Sequence, residues 1–169
     1  AVGVGDGHRL SVVIEFARGC ADGQAMPIPH PYGYRASLAQ LSPAILAKSS
    51  ILYIWVTPEE SRRKNAARTD PNDPGSILHH GVPLAVMYGD YGCDDMAWLL
   101  ENSGQPDTVR VERDGNSYRL PLGRFDNRVD KTSFIREEPA KWAAADVAAL
   151  QKGMREAFDQ LARGRGDSN

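Results

Sequence analysis

The chain has 169 residues, 41% of them hydrophobic and 25% charged, with a formal net charge of −2; this is the composition of one ordinary globular domain spanning 1–169. That charge balance argues against a chain-wide nucleic-acid footprint, and so against nucleic acid as a partner, while leaving room for a local basic patch. No stretch approaches the roughly 18 apolar residues of a membrane span, and the N-terminus carries no basic segment followed by an apolar core, so neither a membrane nor a secretory signal is expected.

Cys20 and Cys93 are the two cysteines. They cannot build a disulfide framework and form no Cys-x-x-Cys pair, so they read as reduced thiols in a cytoplasmic protein. The chain begins at Ala1. It is read either as a whole chain after Met removal or as the C-terminal part of a larger domain.

In chain order, residues 1–9 are glycine-rich and expected to form a mobile entry. Leu10 to Phe16 is an apolar run broken by Ser11 and Glu15, the pattern of a central parallel strand buried on both faces. Residues 19–34 hold three prolines and three glycines, which predicts a long loop. Arg35 to Lys48 has helical spacing, with Pro43 placed to kink or divide it. Ile51 to Val56 is a second strand. A helix follows, with Thr57 as its cap, Pro58 in its first turn and Glu60 three residues after the cap. Residues 69–76 form a break, and Val82 to Asn102 is helical in parts, with Trp98, Leu99 and Leu100 inward.

Thr108 to Glu112 and Ser117 to Leu122 alternate around Asp114-Gly115-Asn116, a hairpin signal. Residues 123–138 read as charged and irregular. The last helix spans about 143–163, with Val147, Leu150, Met154, Phe158 and Leu161 on one face, and 164–169 as a flexible tail. The order predicts an α/β fold: a partly parallel sheet flanked by helices, with a β-hairpin and a C-terminal helix. Two parallel strands are too few for a full doubly wound sheet. Either the hairpin extends the sheet, or further strands come from outside this chain, including from a second copy.

Two clusters point to phosphate chemistry. Glu15 and Arg18 close the first apolar run, where a carboxylate can organise Mg²⁺ or take a proton and a guanidinium can clamp a phosphate; the alternative is an ion pair that orders the loop. Arg62, Arg63, Lys64 and Arg68 load one short helix with cations whose mutual repulsion a phosphate would relieve; the alternative is a solvated face tied to Glu59 and Glu60. Further on, Asp126, Asn127 and Asp130 are suited to a cation or a ribose hydroxyl and Arg124 and Arg128 to an anion, or else all belong to a turn held by local hydrogen bonds and ion pairs.

Weaker signals are His79-His80 with Cys93-Asp94-Asp95, whose spacing matches no zinc pattern, and Cys20 with His30 as nucleophile and base. No metal-ligating residue is assigned. Tyr88, Tyr91 and Trp98 are read as core rather than as a stacking platform.

The Glu-x-x-Arg run end, the strand Ile51 to Val56 and the helix Pro58 to Arg68 resemble the later half of a P-loop kinase of the nucleoside- and nucleotide-kinase type, over about residues 10–70. The resemblance implies Mg-ATP, with ATP and Mg²⁺ as cofactors, and a small-molecule acceptor. It casts Glu15 as base or Mg²⁺ organiser and Arg18 as acceptor- or phosphate-binding. Arg62, Arg63 and Arg68 become lid arginines; Asp126 and Asn127, outside the resembling stretch, are counted as nucleotide- or phosphate-binding from their own chemistry. The chain departs from the family in one respect: Gly3 to Gly7 lacks the lysine and Ser/Thr of the phosphate-cradling loop. A kinase-like phosphotransferase, or a fragment of one, is therefore expected. The alternative is a non-catalytic module that binds a phosphorylated ligand, RNA or a protein through the basic helix 62–68.

Overall fold

A computed structural model describes residues 2–6, 9–68 and 81–166. The strand Ile51–Trp55 is called β3 here because two strands precede it: β1 (Val2–Asp6) and β2 (Arg9–Val13). The helices that follow in chain order are α1 (Gly33–Leu38) and α2 (Pro43–Leu46) before β3, then α3 (Pro58–Arg68), α4 (Leu84–Gly89) and α5 (Met96–Glu101) after it. The chain then forms β4 (Thr108–Arg113) and β5 (Asn116–Asp126). Two short 3-10 turns and α6 (Ala144–Arg165) complete it.

The fold is α/β. β3 runs parallel to β5, and β5 pairs antiparallel with β4, giving the mixed sheet β3-β5-β4. The hairpin does extend the sheet. Asp114 (φ 50°) and Gly115 (φ 75°) form its turn, the double positive φ that a two-residue hairpin matched to strand twist requires. β5 runs on to Asp126, so the first part of the segment expected to be irregular is strand. Pairing with β3 overrides the local charge, because Leu122 to Asp126 face Ile51 to Trp55 one for one.

Each side of the sheet carries one helical layer. On one side Leu120, Leu122, Val109 and Val111 pack with Leu38, Leu46, Met96 and Leu99 into the main core. α6 covers the other side with its small residues buried deepest, while Val147, Leu150, Met154 and Leu161 of the expected face are half-buried. Gly153 and Ala157 are its buried residues, while Phe158 is 55% exposed. A Cβ on Gly123 of β5 would lie 2.1 Å from the Ala157 carbonyl oxygen, and one on Gly153 would lie 2.7 Å from the Phe125 ring. Helix and strand meet backbone to backbone, and the ring of Phe125 supplies the volume that the helix lacks.

Helix boundaries follow local chemistry. Pro43 divides the 35–48 segment into α1 and α2, with Ser42 Oγ accepting from the Ile45 N–H at 3.4 Å. Thr57 Oγ1 accepts from the Glu60 N–H at 3.2 Å at the start of α3, as its cap position predicts.

The first strand corrects the reading of residues 1–16. Residues Arg9–Val13 form no central parallel strand; they pair antiparallel with Val2–Asp6 in a separate two-stranded sheet. Val12, Val13 and Ile14 are 54%, 61% and 48% exposed. An apolar run signals burial only where a partner surface reaches it, and here that happens only at its end, where the Phe16 ring lies 5.9 Å from that of Tyr34 in α1. No helix among the described residues is long and apolar enough to cross a membrane. The expected break at 69–76 and the His79-His80 pair lie outside the described residues.

Candidate functional site

Because β3 and β5 are parallel, their C-terminal ends open on the same edge of the sheet, the edge where open α/β sheets hold ligands. A cleft of about 470 Å³ lies there, bounded by the ends of both strands, the start of α3, the segment 17–18 and the loop before α5.

Its floor is an acid–phenol pair. Tyr53 points from β3 to the core side and donates its Oη–H to Asp94 Oδ2 at 2.6 Å; Asp94 Oδ1 accepts from the Met96 N–H at 2.8 Å. Burial pushes the Asp94 carboxyl above its ordinary range, against the opposing pull of the Tyr53 and Met96 hydrogen bonds. Burial, reinforced by the Asp94 charge, raises the Tyr53 phenol so far that it stays protonated. Tyr34 stands edge-on to Tyr53 at 6.2 Å between ring centres, and its phenol is likewise raised, chiefly by burial and then by Asp94.

Tyr34 is held there by the next residue along. The side chain of Asp95 is fully buried, and its carboxylate accepts from the Tyr34 N–H at 2.6 Å and the Arg35 N–H at 3.0 Å. This anchors the first turn of α1 from 60 residues away and places a negative charge at a helix start. Gly33 is required beneath it: its φ is +76°, and a Cβ would sit 2.7 Å from Asp95 Oδ2.

The walls are cationic. Arg18, Arg124 and Arg128 line the cleft. The guanidinium groups of Arg124 and Arg128 lie 4.3 Å and 3.6 Å from the centre of the Trp55 ring, within cation–π range. Arg128 is neutralised by Asp126 through bonds of 3.0 and 2.8 Å, which hold that carboxyl down at about 2. Arg124 has no carboxylate partner among the described residues. Arg18 donates to the Ala17 carbonyl at 2.8 Å and is otherwise exposed to the opening.

The residues that sequence reasoning singled out are dispersed. Glu15 is exposed and lines a different groove, of about 530 Å³, between residues 12–17 and β3. It does not share the cleft with Arg18. On α3 three of the cations, Arg62, Arg63 and Lys64, already have carboxylate partners. Arg62 lies over the Tyr88 ring at 4.5 Å and reaches Glu59 at 3.4 Å. Arg63 bonds Glu60 at 2.6 and 2.7 Å and Asp130 at 3.0 Å, and Lys64 is 3.1 Å from Asp130. Arg68 is exposed in the last turn.

Asn127 is buried and serves its own loop: its N–H donates to the Trp55 carbonyl at 2.8 Å, its Nδ2 to Thr132 Oγ1 at 3.1 Å, and its Oδ1 accepts from the Lys131 N–H at 2.8 Å. Asp126 is engaged by Arg128, while the Lys131 ammonium bonds its backbone oxygen. Tyr88 and Tyr91, expected in the core, are 48% and 38% exposed, while Trp98 packs against the core. Sequence reasoning missed Tyr34 and Tyr53, weighed Arg124 and Arg128 only as anion-binding residues of an irregular segment, and weighed Asp94 only as a metal ligand. The alternation of Tyr53 with Trp55 was legible, but a partner 41 residues away was not.

Among the described residues no group of three His, Cys, Asp or Glu side chains is placed to hold a metal ion. The single carboxylate lining the cleft, Asp94, already accepts two hydrogen bonds. Among the described residues the lining of this cleft therefore offers a Mg²⁺ ion no second carboxylate. Searches against family models, curated proteins and solved structures found no match for this chain.

Proposed function

We propose that the cleft at the ends of β3 and β5 seats a small phosphorylated molecule, and that the chain acts in phosphoryl transfer as the acceptor-binding side. One observation carries this reading. A carboxyl of raised pKa, Asp94, shares a cleft with three guanidinium groups, and one of them, Arg124, has no acidic partner among the described residues. A planar guanidinium stacked on Trp55 and turned to an open cleft is suited to bidentate capture of a phosphate. Arg18 at the mouth adds a second donor. Asp94, poised by burial above the usual carboxylate range, is suited to exchange a proton with an acceptor hydroxyl, and Tyr53 orients it.

The P-loop-kinase resemblance supports the reaction class through its motifs alone, and no step is routed through Mg-ATP. The cytoplasmic setting belongs to the same proposal and draws on the two free thiols. The alternative of a binding module built on α3 draws less support, because Arg62, Arg63 and Lys64 face Glu59, Glu60 and Asp130.

Calorimetric titration with inorganic pyrophosphate tests the reading. Binding to the native chain should weaken at least about tenfold in Arg124→Gln, the loss expected when one charge-assisted pair is removed. Equal affinity in the two proteins refutes the assignment.

A further inference from the structure

Two segments that are far apart in sequence are stitched together beside the cleft. The Cys20 N–H donates to the Cys93 carbonyl at 2.9 Å, and the Cys93 N–H to the Cys20 carbonyl at 3.1 Å. The two residues form an isolated antiparallel bridge. Further bonds hold the register: Gly92 N–H to the Cys20 carbonyl at 2.9 Å and Asp22 N–H to the Tyr88 carbonyl at 3.1 Å. The approach is tight enough that only glycine fits on either side. A Cβ on Gly19 would lie 2.5 Å from the Cys93 oxygen, and one on Gly92 would lie 2.3 Å from the Asp22 nitrogen.

Residues that exchange both hydrogen bonds across an antiparallel pair have Cα atoms about 5.5 Å apart, with side chains on the same face. Disulfides span Cα separations of about 4.4–6.8 Å. Both thiols are free; Cys20 is 8% exposed and Cys93 more open.

We propose that Cys20 and Cys93 are a dithiol–disulfide pair, oxidised by a low-molecular-weight disulfide such as oxidised glutathione, whose bond locks one wall of the cleft. The more open Cys93 reacts first. Its thiolate attacks one sulfur of the oxidant, that S–S bond breaks, and the departing thiolate takes up a proton. The Cys20 sulfur then attacks the sulfur of Cys93 in the mixed disulfide and expels the second small thiol. Two protein thiols are oxidised by two electrons, one small disulfide is reduced to two thiols, and the protons end on the released thiols. Burial raises the Cys93 thiol, so the first step quickens as pH rises above neutral. The bond would tie the segment that begins at Arg18 to the loop that carries Asp94. This inference stands on the bridge and does not depend on the identity of the ligand.

The test is to equilibrate the native chain in mixtures of oxidised and reduced glutathione, trap remaining thiols by alkylation, and read intact mass and non-reduced peptides. The expected product is a monomer lighter by two hydrogen atoms, with peptides containing Cys20 and Cys93 joined. Cys20→Ser should instead accumulate a stable glutathione adduct on Cys93. The oxidised chain should also melt higher than the reduced chain. Alkylation of both thiols at every ratio, glutathione adducts that persist on the native chain, linkage between two chains, or a lower melting temperature on oxidation would each overturn the proposal.

Discussion

Replacing Gly123 by alanine tests the backbone-to-backbone seam between β5 and α6. The added Cβ would lie 2.1 Å from the carbonyl oxygen of Ala157, 2.9 Å from its carbon and 2.9 Å from Leu161 Cγ. The first two neighbours are helix backbone, which no rotamer change can clear. α6 would have to withdraw by about 1 Å along the seam, loosening the contacts of Gly153 with Phe125 and of Gly164 with Asp107 and Pro121. Overpacking of this kind costs about 3 kcal/mol where the obstruction cannot yield. At roughly 2–4 °C per kcal/mol for a chain of this size, the midpoint of thermal unfolding should fall by about 6–12 °C. Gly89→Ala is the matched control, since a Cβ there meets no atom within 4 Å. In α4 it should leave stability unchanged or raise it by up to about 1 kcal/mol. Circular dichroism melts of the three proteins decide the matter. If Gly123→Ala melts with the native chain, α6 does not lie on β5 as described, and the reasoning fails.

Two further predictions concern charge. Tyr53→Phe removes the hydrogen bond that lowers the Asp94 carboxyl while leaving its burial, so Asp94 should titrate at higher pH in the variant; carbon-detected NMR of the carboxyl would show this, and an unchanged or lower midpoint contradicts the pairing. The Asp126 carboxyl falls from 3.8 to about 2 on folding, first through Arg128. That pair therefore stabilises the fold above about pH 4, and its contribution fades as pH falls through about 2. Both side chains are 44% exposed, so solvent screening keeps the contribution below about 1 kcal/mol. In urea unfolding, the gap between the native chain and Arg128→Gln should narrow from about pH 6 to about pH 3; a constant gap would show that Asp126 is not the partner.

The parts legible in the sequence were those that depend on neighbours within a few residues. The Thr57-Pro58 start of α3, the division at Pro43 and the Asp114-Gly115 turn each rest on a backbone preference written into one or two side chains. Together with the apolar run of β3 they were enough to read the fold class. The run from Leu10 to Phe16 misled for the same reason: hydrophobicity states that a residue can be buried, and only the arrangement of other elements decides whether it is. The last helix showed its length and periodicity, but the line of closest approach was set by β5, where Gly123 admits the backbone at Ala157.

Local sequence thus determined most helix and turn positions and the α/β class. Tertiary structure alone decided the site. The Tyr53–Asp94 bond, the grip of Asp95 on the first turn of α1 and the Cys20–Cys93 bridge join residues 41, 60 and more than 70 positions apart, and the rules of local conformation do not reach across such separations. Arg63 and Lys64 of α3, for which the sequence offered only Glu59 and Glu60, also found a counter-charge on Asp130, across the fold. Arg124, which faces the cleft with no carboxylate partner among the described residues, sits on a strand that charge patterning had not disclosed, because its place was fixed by parallel pairing with β3.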